Sequence, residues 1–193
     1  ARLIFCVEGR ASISSCSSSL HVLQALLWSS IPLASRFAPF RNRPEYDLIT
    51  RTAAYLEHSG FYFGPMDADE AHALLSEQPQ GTFLVRDSTR PDVFFTLSYH
   101  STQGPTSVRI ELRDLRFGLA GSHKTFSCLF ALLEYYRDSP KRSLRRPYRG
   151  AAPQGLQQLG RLAVVRAFGR DAVDRLPVSV VVRDYIHKFP FRI

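Results

Sequence analysis

Three runs of strand-forming residues, 82–87, 93–99 and 106–112, follow one another with only a few residues between them. No other feature of the chain restricts its fold as strongly. A parallel strand pair needs a crossover of a dozen or more residues, so runs this closely spaced pair antiparallel. Arg90-Pro91-Asp92 and Gln103-Gly104-Pro105 supply the turns. Val93, Phe95, Leu97 and Tyr99 alternate with Thr96 and Ser98, as in a strand with one face buried. Thr106, Val108, Ile110 and Leu112 alternate with Ser107, Arg109 and Glu111 in the same way. A shorter fourth strand is expected over 116–119.

Helical patterns flank this meander. Asp67 with Glu70 three residues later forms a capping box, and the helix it opens carries Ala71, Leu74 and Leu75 inward before Pro79. A second helix is expected over 125–137, bearing Phe126, Leu129, Phe130, Leu133 and Tyr136, and Ser139-Pro140 ends it. Helix, strands, helix in that order give an α+β fold, a central antiparallel sheet with one helix on each side. Upstream, Pro44 and Glu45 open another helix with Leu48, Ile49, Thr52, Ala53 and Leu56 on one face, stopped by Gly60. Downstream, 154–168 reads as a helix with Leu156, Leu159, Ala163 and Val164, closed by Gly169. Short helices over 171–175 and 179–187 follow. About forty residues bury little surface alone, so the exposed apolar positions of this C-terminal piece call for a partner.

The first strand ends in an anomaly. Thr82-Phe83-Leu84-Val85-Arg86-Asp87-Ser88 places one arginine inside an apolar run. A buried cation is costly unless an anion meets it. The turn after it offers the hydroxyls of Ser88 and Thr89, so the residues describe a pocket for a doubly charged phosphate. A guanidinium fork meets two phosphate oxygens at once, which an ammonium does not reproduce. The competing reading is a core arginine paired with an internal carboxylate. Arg109 lies on the polar parity of its strand and suits the same pocket; its competing reading is a surface charge paired with Glu111.

Charge and cysteine content narrow the function. The net charge of +8 favours acidic partners. Much of the excess lies among Arg137, Lys141, Arg142, Arg145, Arg146 and Arg149. Pro140, Pro147 and Gly150 break that run, which favours a solvated linker over a nucleic-acid surface or import signal. Three cysteines, Cys6, Cys16 and Cys128, give no disulfide framework and fit a reducing, cytoplasmic compartment, with the nucleus a second location through the basic run. No Cys/His group has zinc spacing, and no cofactor is called for. No nucleophile loop, glycine-rich phosphate loop or metal triad supports an enzyme. Residues 1–34 hold an apolar, serine-rich leader whose apolar run is too short and interrupted for membrane insertion.

The ordered segments Gly60-Phe61-Tyr62-Phe63-Gly64-Pro65, Gly81 to Ser88, Phe94 to Ser98 and Gly104 to Ile110 resemble a Src-homology-2 (SH2) domain, in particular that of the suppressors of cytokine signalling. Arg183 to Ile193 resembles the end of that family's C-terminal box, and Arg36-Phe37-Ala38-Pro39-Phe40-Arg41 resembles the kinase-inhibitory region of two members. The resemblance covers about 35–193. It implies a kinase-inhibitory segment (35–43), an extension helix (44–59), an SH2-like domain (60–140), a basic linker (141–153) and a small three-helix box (154–193). It adds Ser88, Thr89 and Arg109 to Arg86 as phosphotyrosine-binding residues. The implied partners are tyrosine-phosphorylated Janus kinases and cytokine receptors, elongin B and elongin C, and a cullin scaffold.

The resemblance also assigns roles elsewhere. Arg36, Phe37, Phe40 and Arg41 would lie in a Janus kinase substrate groove as a pseudosubstrate. Ala38-Pro39 replaces the usual Arg-Thr pair and Arg36 the usual histidine, which weakens inhibition. Leu156, Leu159 and Val164 match the elongin-binding stripe, with Gly160 where a cysteine is usual. Leu176, Pro177 and Val178 match the cullin-contacting motif, but Ser179 replaces its final proline, which weakens recruitment. The alternative is a phosphotyrosine-binding adaptor that has lost ligase assembly.

Overall fold

The computed structural model describes residues 37, 39–139, 143–150 and 153–193. The leader expected over 1–34, Arg36 and Ala38 of the inhibitory segment, and Pro140, Lys141 and Arg142 lie outside the described residues.

Helix α1 spans Arg43–Glu57 and α2 spans Ala68–Ser76. Asn42 caps α1 by accepting from the Glu45 amide, and Pro44 fits the first turn, where no amide partner is needed. The capping box of α2 is complete: Asp67 accepts from the Glu70 amide, and Glu70 accepts from the Asp67 amide. Strands β1 (Thr82–Asp87), β2 (Phe95–Ser101), β3 (Gly104–Arg113), β4 (Arg116–Leu119) and β5 (Thr125–Phe126) then precede α3 (Leu129–Asp138). Strand β6 (Arg146–Pro147) is followed by α4 (Leu156–Phe168), a 3-10 helix (Arg170–Arg175) and α5 (Val180–His187).

The sheet order is β5-β4-β3-β2-β1-β6. All neighbours are antiparallel except β1 and β6. One face supplies Phe83, Val85, Phe95, Leu97, Ile110 and Phe117 to the main core, shared with Ile49, Ala53 and Leu56 of α1 and Leu129, Phe130, Leu132 and Leu133 of α3. Leu84 on the opposite face packs with Met66, Ala71 and Leu75 of the α2 region.

Several expectations need correction. Thr96 and Ser98 are buried, not on a solvated face, because α2 packs against β2 and β3. Gly104 and Pro105 belong to β3, paired with Ser101 and His100; the turn is Thr102-Gln103, and the positive φ of 109° at Gly104 suits glycine. The helix expected from Thr125 starts at Leu129. Thr125 and Phe126 pair instead with Gly118 and Phe117, and Arg116 donates to the Thr125 hydroxyl and carbonyl.

The basic segment is not a solvated linker. Leu144 is buried, Arg146-Pro147 adds a parallel strand to Thr82-Phe83, and Tyr148 stacks on Phe63. Arg149 donates to the carbonyls of Ser59 and Ile193. Burial, with the nearby charges of Arg161 and Arg166, pushes its pKa down to about 10. A basic composition concealed these roles because a long arginine buries its stem while its head finds carbonyls.

Candidate functional site

Strand alternation decides which side chains share the α2 face with Leu84. Arg86 is two residues on, and it stands opposite Thr96, which stands opposite Arg109. One row across three strands therefore carries both arginines on one face. The neighbouring row is Leu84, Ser98 and Ser107.

Arg86 is 4% exposed. Its Nε donates to Ser98 Oγ at 3.2 Å, and its Nη1 donates to the carbonyls of Met66 at 3.2 Å and Asp87 at 3.3 Å. All three acceptors are neutral. Among the described residues no carboxylate forms an ion pair with it, so the reading of a core arginine neutralised internally is not realised. Burial lowers the pKa of Arg86, and the charge of Asp67 offsets part of that effect. A guanidinium held by three neutral oxygens keeps its charge available for an oxyanion.

The other expected pocket residues lie around it. Ser88 is half-buried just past β1; its amide donates to the Phe94 carbonyl and its Oγ accepts from the Arg90 amide. Thr89 is exposed in the same turn. Arg109 is exposed in the arginine row, and Glu111 pairs with Arg113 at 2.6 Å rather than with Arg109.

Ser98, Ser107, His72 and the Met66 carbonyl are neighbours that sequence reasoning did not assign to the site. Ser98 and Ser107 were visible as polar residues in alternating strands. Their contact with Arg86 and His72 depended on strand register and on where α2 lands, and neither is written in local sequence.

The SH2 domain family model matches residues 61–136, which takes in α2, the strands β1 to β5 and most of α3. Suppressor of cytokine signaling 1 of Mus musculus is 46% identical over 159 residues, covering 82% of this chain and 75% of that protein. This chain belongs to the suppressor of cytokine signalling family. Cytokine-inducible SH2-containing protein of Gallus gallus is 34% identical over 193 residues, covering 81% of this chain and 77% of that protein. The solution structure of the Monosiga brevicollis CRK/CRKL homolog SH2 domain is 28% identical, covering 46% of this chain and 86% of that one with a TM-score of 0.41. The chain is thus a suppressor of cytokine signalling with a phosphotyrosine-binding SH2 domain.

The segments this suppressor carries on either side of the SH2 domain are placed as follows. Phe37 lies edge-on to Phe94 and Phe95 with centroids 5.7 and 5.4 Å away. Phe40 stacks on Phe94 and meets Tyr46 edge-on. Both rings rest on the suppressor's own domain because the Phe94-Phe95 pair offers an apolar shelf. Arg41 pairs with Glu45 at 3.4 Å.

In the box, Leu156 and Leu159 of α4 are 86% and 45% exposed. Gly160 is exposed beside them, and a Cβ built there meets nothing within 4 Å. Val164 differs from the expected outward stripe: it is half-buried against Val165, Val173 and Ile186 inside the box. Leu176 closes the 3-10 helix, Pro177 is exposed and Val178 is half-buried. Ser179 caps α5, accepting from the Val182 amide, which is a role its replaced proline could not fill.

Proposed function

We propose that this suppressor acts through the pocket around Arg86, which takes the phosphotyrosine of an activated Janus kinase or cytokine receptor. The observation that supports it is the buried guanidinium of Arg86, held by three neutral oxygens with no paired carboxylate among the described residues. Phosphotyrosine brings nearly two negative charges and strong acceptor oxygens. Ser88 and Thr89 add hydroxyls from the following turn, and Arg109 adds a second cation from the same row. Peptide titration by calorimetry tests this. Arg86→Ala should weaken binding of a phosphotyrosine peptide by about 2–5 kcal/mol, the cost of truncating one partner of a buried charge pair. Arg86→Lys should also bind more weakly, because the ammonium lacks the planar fork. Equal affinity in Arg86→Ala would reject the pocket.

Bound in this way, the suppressor obstructs the kinase with the segment 36–41 as a pseudosubstrate. It acts in the cytoplasm, with the nucleus as a second compartment, and carries no catalytic site of its own. Its box helix, through Leu156 and Leu159, recruits elongin C with elongin B, and Leu176-Pro177-Val178 reaches a cullin scaffold weakly. The exposure of two leucines on one side of α4 supports ligase recruitment over the adaptor reading, since an unpartnered apolar surface of this kind marks an interaction site. Co-expression with elongin B and elongin C should give a stoichiometric complex that Leu156→Asp disrupts. Absence of a complex from the unaltered chain would leave the adaptor.

A further inference from the structure

A line of hydrogen bonds leaves Arg86 and crosses the sheet to α2. Ser98 Oγ lies 2.8 Å from Ser107 Oγ, and Ser107 Oγ lies 2.9 Å from His72 Nε2. Together with the Arg86–Ser98 contact at 3.2 Å, the line joins residues of β1, β2, β3 and α2. None of this follows from the row that faces the ligand. It runs through the next row inward, where Ser98 is 0% exposed.

Proton counting gives the line a direction. A guanidinium only donates, so Ser98 Oγ accepts from Arg86. Ser98 has one proton of its own, and the fully buried hydroxyl has Ser107 Oγ as its other neighbour, so it donates there. Ser107 then has its proton free for His72 Nε2, which accepts it when the imidazole carries its own proton on Nδ1. With an acceptor at its far end, the line keeps a Ser98 lone pair turned toward Arg86. Without that acceptor, Ser107 is free to turn round and donate to Ser98, and the buried Ser98 proton then loses its acceptor, so the hydroxyl that holds Arg86 is no longer fixed.

Ser98 is also the one side chain among the three groups holding Arg86; the other two are the carbonyls of Met66 and Asp87. We infer that His72 is a positioning residue for the phosphotyrosine pocket, acting through Ser107 and Ser98 to fix the Arg86 guanidinium. It does not touch the ligand. The inference rests on the reading of Arg86 as the phosphate-binding residue.

The test compares His72→Met, which keeps bulk and helix propensity but offers only a weak thioether acceptor, with His72→Gln, whose amide oxygen stands as many bonds from Cα as the imidazole Nε2. Affinity for a phosphotyrosine peptide is measured by calorimetry in the full chain, melting temperature is recorded in parallel, and the Nε–H resonance of Arg86 is followed by NMR without ligand. His72→Met should bind about three- to ten-fold more weakly, the range for one net hydrogen bond. Its Arg86 Nε–H signal should shift or broaden, and His72→Gln should restore both. Ser107→Ala, which cuts the line from the sheet side, provides the same comparison should His72→Met not fold. Unchanged affinity and an unchanged Arg86 signal overturn the inference. So does a loss shared equally by His72→Met and His72→Gln that follows the fall in melting temperature. Arg86→Ala separates the two levels: if it binds as wild type the pocket itself is wrong, whereas loss there with no effect at His72 removes the positioning role alone.

Discussion

Phe191→Ala tests whether the C-terminal tail is part of the SH2 domain's core. Phe191 is 7% exposed. Its ring stacks on Phe130 with centroids 4.0 Å apart and meets Tyr55 and Phe189 edge-on at 5.1 and 5.2 Å. Phe130 belongs to α3 and Tyr55 to α1, so one ring ties the tail to a helix of the SH2 domain and to the helix that precedes it. Truncating a buried phenylalanine to alanine costs about 3–5 kcal/mol, transfer and cavity together. The tail carries its own backbone and can settle into the gap, so the lower end, roughly 3 kcal/mol, applies here. Against a domain stability of about 5–15 kcal/mol that is a large fraction. Urea unfolding followed by far-ultraviolet circular dichroism measures it, with the m-value required to stay constant. Phe130→Ala combined with Phe191→Ala should cost less than the two separate losses added together, by about 0.5–3 kcal/mol for residues in contact. A loss within about 0.5 kcal/mol, typical of a surface position, together with additive double-mutant behaviour would refute the docked tail.

Gly160→Ala should stabilise the chain by about 1 kcal/mol, since a helix-interior glycine carries that cost and the added methyl meets nothing within 4 Å; thermal unfolding checks it, and a fall in melting temperature contradicts the placement of Gly160. Ser179→Ala should cost about 1 kcal/mol by removing the cap of α5, read as faster amide exchange at Val182. Burial, then the charges of Lys188 and Arg161, holds the His58 pKa below its ordinary 6.5. The unfolded chain therefore binds the proton more readily, so stability is full above 6.5 and falls as the pH drops through that value. His58→Gln should flatten this acid-side decline in urea titrations, and an identical slope in the variant would assign the decline elsewhere.

Local sequence determined most of the elements of this protein, the two short strands β5 and β6 excepted. Alternation at 93–99 and 106–112 with short turns dictated an antiparallel meander, and Asp67 with Glu70 set the start of α2. Arg86 was conspicuous because a cation in an apolar strand contradicts the residues around it. These signals act within a few residues, through side-chain parity, capping and local turn geometry. What spans the chain was settled only in three dimensions. Strand register aligned Arg86 with Arg109 and placed Ser98 between Arg86 and Ser107. The packing of α2 buried a strand face whose composition reads as solvated. Arg149 reached Ser59 and Ile193 from a segment that composition alone marked as a linker, and Phe189, Phe191 and Ile193 entered the core from the far end of the chain. Each of these depends on contacts between residues distant in sequence, whose energy is gained only once the sheet, the helices and the tail have come together, and no local pattern encodes which distant partner will be there.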